Sequence, residues 1–454
     1  VQVTLVKERS QPQPDPQRLQ ILETELQQTR EALQTLKGEL QTKYPDYYAL
    51  KYPQPAKPEE LQTQVLQPGE VLLIYGVMQD KTCLWVIGKE VFRLETLPIG
   101  EEDLSRKIAA YRSTVLKTKD EGGKMRQGAS PEERDKLRQE MYPLLVPASI
   151  RASLAPGSTL YIIPTGPLYS LPFEALETQA PGQPLRYLVE DYPIAYLSSA
   201  SLLKTLREVQ ARRQARPSYP LLAFANPRYE ECPENQGDDK SISGLQTRAY
   251  REIAGGTFPE LPETEGEAQA IKELLHAPEQ SNPLLVKEAA SRSTVLSLNQ
   301  AVKLRDYRYL VFACHGILPG EVDRIVQPAL VLSYPEKDGY LTMADVFGLQ
   351  LNADLVSLSA CNTGRGVEVK GEGVMGLTRA FMYSGTPAVC VTLWSVESQS
   401  AKELNVGTYR YLSQKLGRAA ALREIKLALL RGEKGDKYRH PFYWAPLVVF
   451  GDGQ

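Results

Sequence analysis

Histidine and cysteine are scarce in this chain of 454 residues, which has 3 of the first and 5 of the second. The cysteines, Cys83, Cys232, Cys314, Cys361 and Cys390, are scattered and odd in number. That argues against a disulfide framework and for a reducing, cytoplasmic setting. No CxxC, HExxH or similar spacing occurs, so neither a zinc site nor any other cofactor is expected. No apolar run nears the roughly 18 residues of a spanning helix, and no signal peptide is visible, so no membrane partner is expected. An excess of charge is missing too. The 53 basic and 55 acidic residues leave a formal net charge of -2, which gives no electrostatic reason to expect nucleic acid. The 24 tyrosines are spread out, with no basic–aromatic interleaving that would stack bases. The first residue is Val rather than Met, which fits a fragment or a processed product.

What is present suits a folded protein. Hydrophobic residues make up 42%, enough for a sizeable core and, at this length, for two or three domains. Residues 1–16 are rich in Gln and Pro and read as a linker. Leu19, Leu22, Leu26, Thr29, Leu33, Leu36 and Leu40 then recur in steps of three and four. That spacing predicts an amphipathic helix, read as packed on its own domain rather than as a dimer coiled coil. Residues 1–69 form this region. From residue 70, "EVLLIYGVM" and "CLWVIGKEVFRLETL" read as a strand meander, and "EDLSRKIAAYRSTVL" as a helix. Residues 119–135 read as an exposed charged loop. Residues 70–226 form an N-terminal half, and 227–258 a long surface loop. Residues 259–454 form the C-terminal half, where strands alternate with helices. Such alternation predicts a mostly parallel α/β sheet covered on both faces.

Two runs in that half read alike. "YLVFACHGIL" ends on His315, and "LVSLSACNTG" ends on Cys361. In parallel sheets, functional groups collect at the carboxyl ends of strands. A thiol becomes a strong nucleophile as a thiolate, which needs a nearby base. One crossover between the runs would make their strands neighbours, about 4.8 Å apart. Gly316, Ala360 and Gly364 would let a substrate backbone approach. The N–H groups of Gly316 and Cys361 could serve as oxyanion donors. The bland alternative is two buried strand-end residues in a core. Cys314, Cys83 and Cys390, inside apolar strands, take that reading, and so does His440 among its aromatics.

"VFACHG", "LTMADVFGLQLNADLVSLSACNTG", "GEGVMGLTRAFMYSGTPAVCVTLWSVE" and "HPFYWAPLVVFGD" together resemble the CHAT domain, a caspase-like peptidase domain related to separases. "LYIIPTGPLYSLPFEAL" and "LPETEGEAQAI" upstream resemble it as well, so the likeness covers roughly residues 70–452. The resemblance implies a caspase–hemoglobinase fold, with a degenerate N-terminal half and an active C-terminal half. It also implies a His315–Cys361 dyad that cuts protein substrates as a cysteine endopeptidase, with bacterial defence or cell death as a setting. A TPR-type sensor or another regulatory partner would hold the enzyme in check. Related separases place acidic groups after an "LW" strand end and prefer arginine. The counterpart here is "LWSVESQS", with Trp394, Glu397 and Ser398. Serine stands where family members often carry a second acid, which weakens the implied basic preference. Asp323 and Glu372 are further pocket candidates. The alternative of a different class is a catalytically silent caspase-like scaffold.

Overall fold

The apolar runs that carry no polar alternation become the middle of one large sheet. The structure is a computed structural model. It describes every residue except 12, 44, 53, 117–130, 181, 214, 230–257, 320, 321, 323, 324, 335, 336, 360–371 and 395. Two units are present, Val1–Gln54 and Pro55–Gln454.

In the first unit the expected linker is partly helical, since Gln2–Arg9 forms a helix. Its residues "VTLVKER" contain no helix breaker, and the prolines begin only at residue 12. Asp15 then starts the long helix Pro16–Lys43. Its Oδ1 accepts from the Gln17 N–H at 2.9 Å, and Pro16 takes the first helical position, where no N–H is needed. Arg9–Glu23 at 2.6 Å and Arg18–Glu8 at 3.4 Å tie the two helices together. The heptad stripe is helical as expected, but no residue of this helix is buried. Leu33 is 47% and Leu36 53% exposed. Leu19, Leu22, Leu26 and Leu40 are half-buried, so the stripe is covered only in part.

The second unit holds fourteen strands among its described residues. They are β1 (Glu70–Val77), β2 (Thr82–Gly88), β3 (Phe92–Leu97), β4 (Thr159–Ile163), β5 (Ile194–Tyr196), β6 (Tyr219–Pro227), β7 (Leu284–Lys287), β8 (Tyr307–Ala313), β9 (His315–Ile317), β10 (Ala329–Val331), β11 (Tyr340–Thr342), β12 (Leu355–Leu358), β13 (Ala388–Thr392) and β14 (Leu447–Gly451). Eleven of them form one sheet in the order β3-β2-β1-β4-β5-β14-β13-β12-β8-β6-β7. The meander β1–β2–β3 and the pair β13–β14 are antiparallel, and every other neighbouring pair is parallel. A separate three-stranded sheet runs β11-β10-β9.

Helices cover both faces, as the alternation of elements predicts. Tyr309 of β8 meets Tyr409 of the helix Ser398–Ser413, with ring centroids 5.2 Å apart. Phe312, three residues on and therefore on the opposite face, meets Phe381 of the helix Glu372–Tyr383 at 5.5 Å. "YLVEDYPIAYLSSASLLKTL" differs slightly from its expected strand and helix. It forms a short helix Leu188–Asp191, then β5, then the helix Ala200–Ala211.

Buried charges pin distant parts of the chain. Arg207 Nη2 bonds Glu70 Oε1 at 2.7 Å and Asp452 Oδ1 at 3.0 Å, which joins the start of β1 to the residue after β14. Lys426 and Glu174, both essentially sealed from solvent, pair at 2.9 Å. Burial lowers the Lys426 pKa, and Glu174 opposes that shift.

Candidate active site

β8 and β12 are neighbours and run parallel, with Leu355↔Tyr309 through Leu358↔Phe312 in register. Just beyond, the Ser359 N–H donates to the Phe312 carbonyl at 2.9 Å. β8 and β12 thus end side by side. After β8 a single residue, Cys314, intervenes before His315 opens β9 in the small sheet. Cys361 lies outside the described residues, as do Asp323 and the Gly-rich stretch at 364–371.

His315 is 3% exposed. Its Nε2 lies 2.8 Å from the Pro259 carbonyl oxygen. A carbonyl only accepts, so Nε2 carries the hydrogen and Nδ1 is the nitrogen that can take a proton. Burial lowers the His315 pKa below its ordinary value, and the Pro259 carbonyl and the charge of Glu263 oppose the shift. Burial thus favours the neutral imidazole. Tyr229 and Phe258 flank it, with ring centroids at 5.2 and 5.4 Å.

The Tyr229 hydroxyl also bridges the small sheet. It accepts from the His315 N–H at 3.2 Å and donates to the Val331 carbonyl at 3.2 Å. His315 and Val331 are opposite one another in the β9–β10 register. Gly316, in β9, faces Leu330.

Tyr229, Phe258 and Pro259 escaped the sequence reading because they border a stretch without periodicity. The surface-loop expectation fails at both ends of 227–258, where Tyr229 and Phe258 are buried. Residues 230–257 lie outside the described residues. The one available signal was "TFPELP", an aromatic followed by two prolines just before a helix.

The pocket candidates are placed as follows. Glu397 caps the helix Ser398–Ser413. Its Oε2 accepts from the Ser400 N–H at 2.9 Å, and its Oε1 lies 3.2 Å from Lys437 Nζ. The Ser398 hydroxyl donates to Glu263 Oε1 at 2.9 Å. Trp394 is 2% exposed, and its indole N–H donates to the Phe442 carbonyl at 3.2 Å. Glu372 begins the helix Glu372–Tyr383, and its side chain lies outside the described residues.

Cys314 and Cys390 are buried thiols whose pKa burial raises, that of Cys390 to about 12. Such thiols are inert near neutral pH. The His440 Nδ1 accepts from the Phe442 N–H at 3.2 Å and caps a short helix. Among the described residues, no group of three or more His, Cys, Asp or Glu side chains could hold a metal. No helix among them is long and apolar enough to cross a membrane.

Tetratricopeptide repeat protein 28 of Homo sapiens is 33% identical over 117 residues, 26% of this chain and 5% of that protein. Its Mus musculus counterpart is 32% identical over 117 residues. The chain thus spans only 5% of the length of these relatives. The Saccharomyces cerevisiae separase–securin complex aligns with a TM-score of 0.48 at 10% identity, covering 90% of this chain and 31% of that one. The Arg-specific cysteine proteinase gingipain R aligns with a TM-score of 0.38 at 11% identity, covering 78% and 74%. The CHAT domain matches residues 135–452, well over half of the sequence, and the chain belongs to the CHAT domain family.

Proposed function

We propose that this chain is a cysteine endopeptidase in which His315 and Cys361 form the catalytic dyad. The observation that carries the reading is the tethered imidazole. Its Nε2–H is held by the Pro259 carbonyl at the end of a strand directly beside β12, and Cys361 follows Ser359 by two residues. A base fixed in one tautomer loses little freedom on reaction.

In this mechanism Nδ1 of His315 takes the thiol proton, and the Cys361 sulfur attacks the scissile carbonyl carbon. The oxyanion is held by the N–H groups of Gly316 and Cys361. The imidazolium returns the proton to the leaving amine as the peptide bond breaks. Water, deprotonated by the same imidazole, then cleaves the thioester and releases the acid and the thiol.

The substrate is a protein with a basic residue before the cut. Glu397 is the leading pocket acid, because Lys437 already occupies one of its carboxylate oxygens as a substrate ammonium or guanidinium would. Ser398, Trp394, Asp323 and Glu372 are the other pocket positions. A TPR-type sensor is the proposed regulatory partner, supported by the match to tetratricopeptide repeat proteins. Free thiols at Cys83, Cys314 and Cys390 support a reducing cytoplasm. A role in bacterial defence or cell death follows the family resemblance. The test is labelling by a peptidyl acyloxymethyl ketone, compared between the wild type and Cys361→Ala. Equal labelling of the two defeats the peptidase reading and leaves the silent scaffold.

A further inference from the structure

Glu267 lies on the helix Pro262–Leu274, in "ETEGEAQ", and its side chain turns inward. It is 2% exposed. Its Oε2 is reached by the Ser359 hydroxyl at 3.4 Å, and that hydroxyl in turn accepts from Asn405 Nδ2 at 3.2 Å. Its other oxygen, Oε1, is buried with no hydrogen-bond partner among the described residues. Thr392 Oγ1 is likewise buried and unpartnered. Ser359 and Thr392 each lie two residues past the paired positions Ser357 and Cys390 of β12 and β13. This buried polar cluster therefore sits at the very end of β12, where the chain leaves for Cys361. Nothing in the dyad chemistry uses it.

We propose that Glu267 is a positioning residue for the dyad: its carboxyl group holds the end of β12 in the reactive register only while it carries a proton. The proposal rests on the peptidase reading. Geometry supplies the reason. A neutral carboxyl group tolerates the long contact from Ser359, the nearby Asn405 amide and a dry Oε1. A carboxylate there does not, because an unpaired buried charge is far costlier than a neutral polar group. On ionisation it draws donors or water toward itself, and the Ser359 hydroxyl on the strand end is one of those donors.

The charged and titratable neighbours come from each packed element. Lys402 and Tyr409 lie on the helix Ser398–Ser413, and Glu263 on the same helix as Glu267. Burial pushes the Glu267 pKa up to about 7. Ser359, Lys402 and Asn405 oppose that shift, and Glu263 adds to it. Ionisation thus falls in the range where a thiol enzyme works.

Alkylation of Cys361 by iodoacetamide, read by peptide mass mapping, reports on the strand end without requiring turnover. It is measured on the full chain between about pH 5 and 9, with Cys83 as the internal reference. The expected wild-type profile carries a several-fold inflection near the Glu267 pKa, superimposed on the thiolate titration. Glu267→Gln keeps size and polarity but cannot ionise, and its profile lacks the inflection. Ser359→Ala keeps the acid, cuts its link to the strand, and also lacks the inflection, so the test survives if Glu267→Gln does not fold. A wild-type-to-variant ratio that is constant across this range overturns the proposal. Failure of the peptidase reading is a separate result: no labelling by the peptidyl ketone, with this inflection intact.

Discussion

The His315 ring and the Pro259 main chain are joined by one hydrogen bond of 2.8 Å, from Nε2 to the carbonyl oxygen. Because the acceptor is a backbone atom, no side-chain substitution at 259 removes it directly. The tautomer follows from the path of "FPELP", which brings the Pro259 carbonyl to the ring.

A pH dependence follows from that environment. The folded pKa of His315 lies below its ordinary 6.5. Between the two values the unfolded chain binds the proton and the folded chain does not, so this histidine's contribution to stability falls as pH drops through 6.5. Thermal unfolding across that window should show a slope that His315→Gln lacks. The acid limb of ketone labelling should also sit below the range of an exposed histidine.

Tyr229→Phe keeps the ring against His315 and removes only the bridging hydroxyl. It leaves the His315 N–H and the Val331 carbonyl without that partner. Chemical denaturation should show a loss of ~1–3 kcal/mol. Labelling should slow as well, because the β9 backbone that presents the imidazole loses its hydroxyl bridge to β10.

The Lys426–Glu174 pair tests the core. Lys426→Met alone strands a buried carboxylate and should cost ~3–5 kcal/mol. The double change Lys426→Met with Glu174→Leu should recover most of that loss. Denaturant midpoints for the two singles and the double measure the coupling directly.

The proposed pocket acid, Glu397, gives a test of specificity. A peptide-library profile should favour Arg or Lys before the cut, and Glu397→Gln should weaken that preference several-fold. Lys437→Met, which removes the competing internal cation, should strengthen it. A profile indifferent to both variants would shift attention to Asp323 and Glu372.

Much of this architecture was legible in the sequence. β8, β12, β13 and β14 are buried throughout or nearly so, and sealed parallel strands show as unbroken apolar runs. His315 stood out because it follows such a run. The neighbouring aromatics did not, since Tyr229 and Phe258 belong to segments whose contacts are long-range and leave no period. Glu267 was equally hidden. Among Glu263, Glu265 and Glu267 only the last is buried, and acids spaced by two fall on different sides of a helix, so their pattern does not single out the inward one. The heptad of Leu19 to Leu40 misled in the opposite sense. Its period gives the helix, but periodicity cannot say whether anything covers the stripe.

The most direct test of the account is the second-order rate of labelling by a basic peptidyl acyloxymethyl ketone, measured on the wild type, His315→Ala and Cys361→Ala. The dyad requires one adduct, mapped to Cys361. It should be slowed by ~10²–10⁴ without the imidazole and absent without the thiol. An adduct on another cysteine, or equal rates in all three proteins, would contradict it.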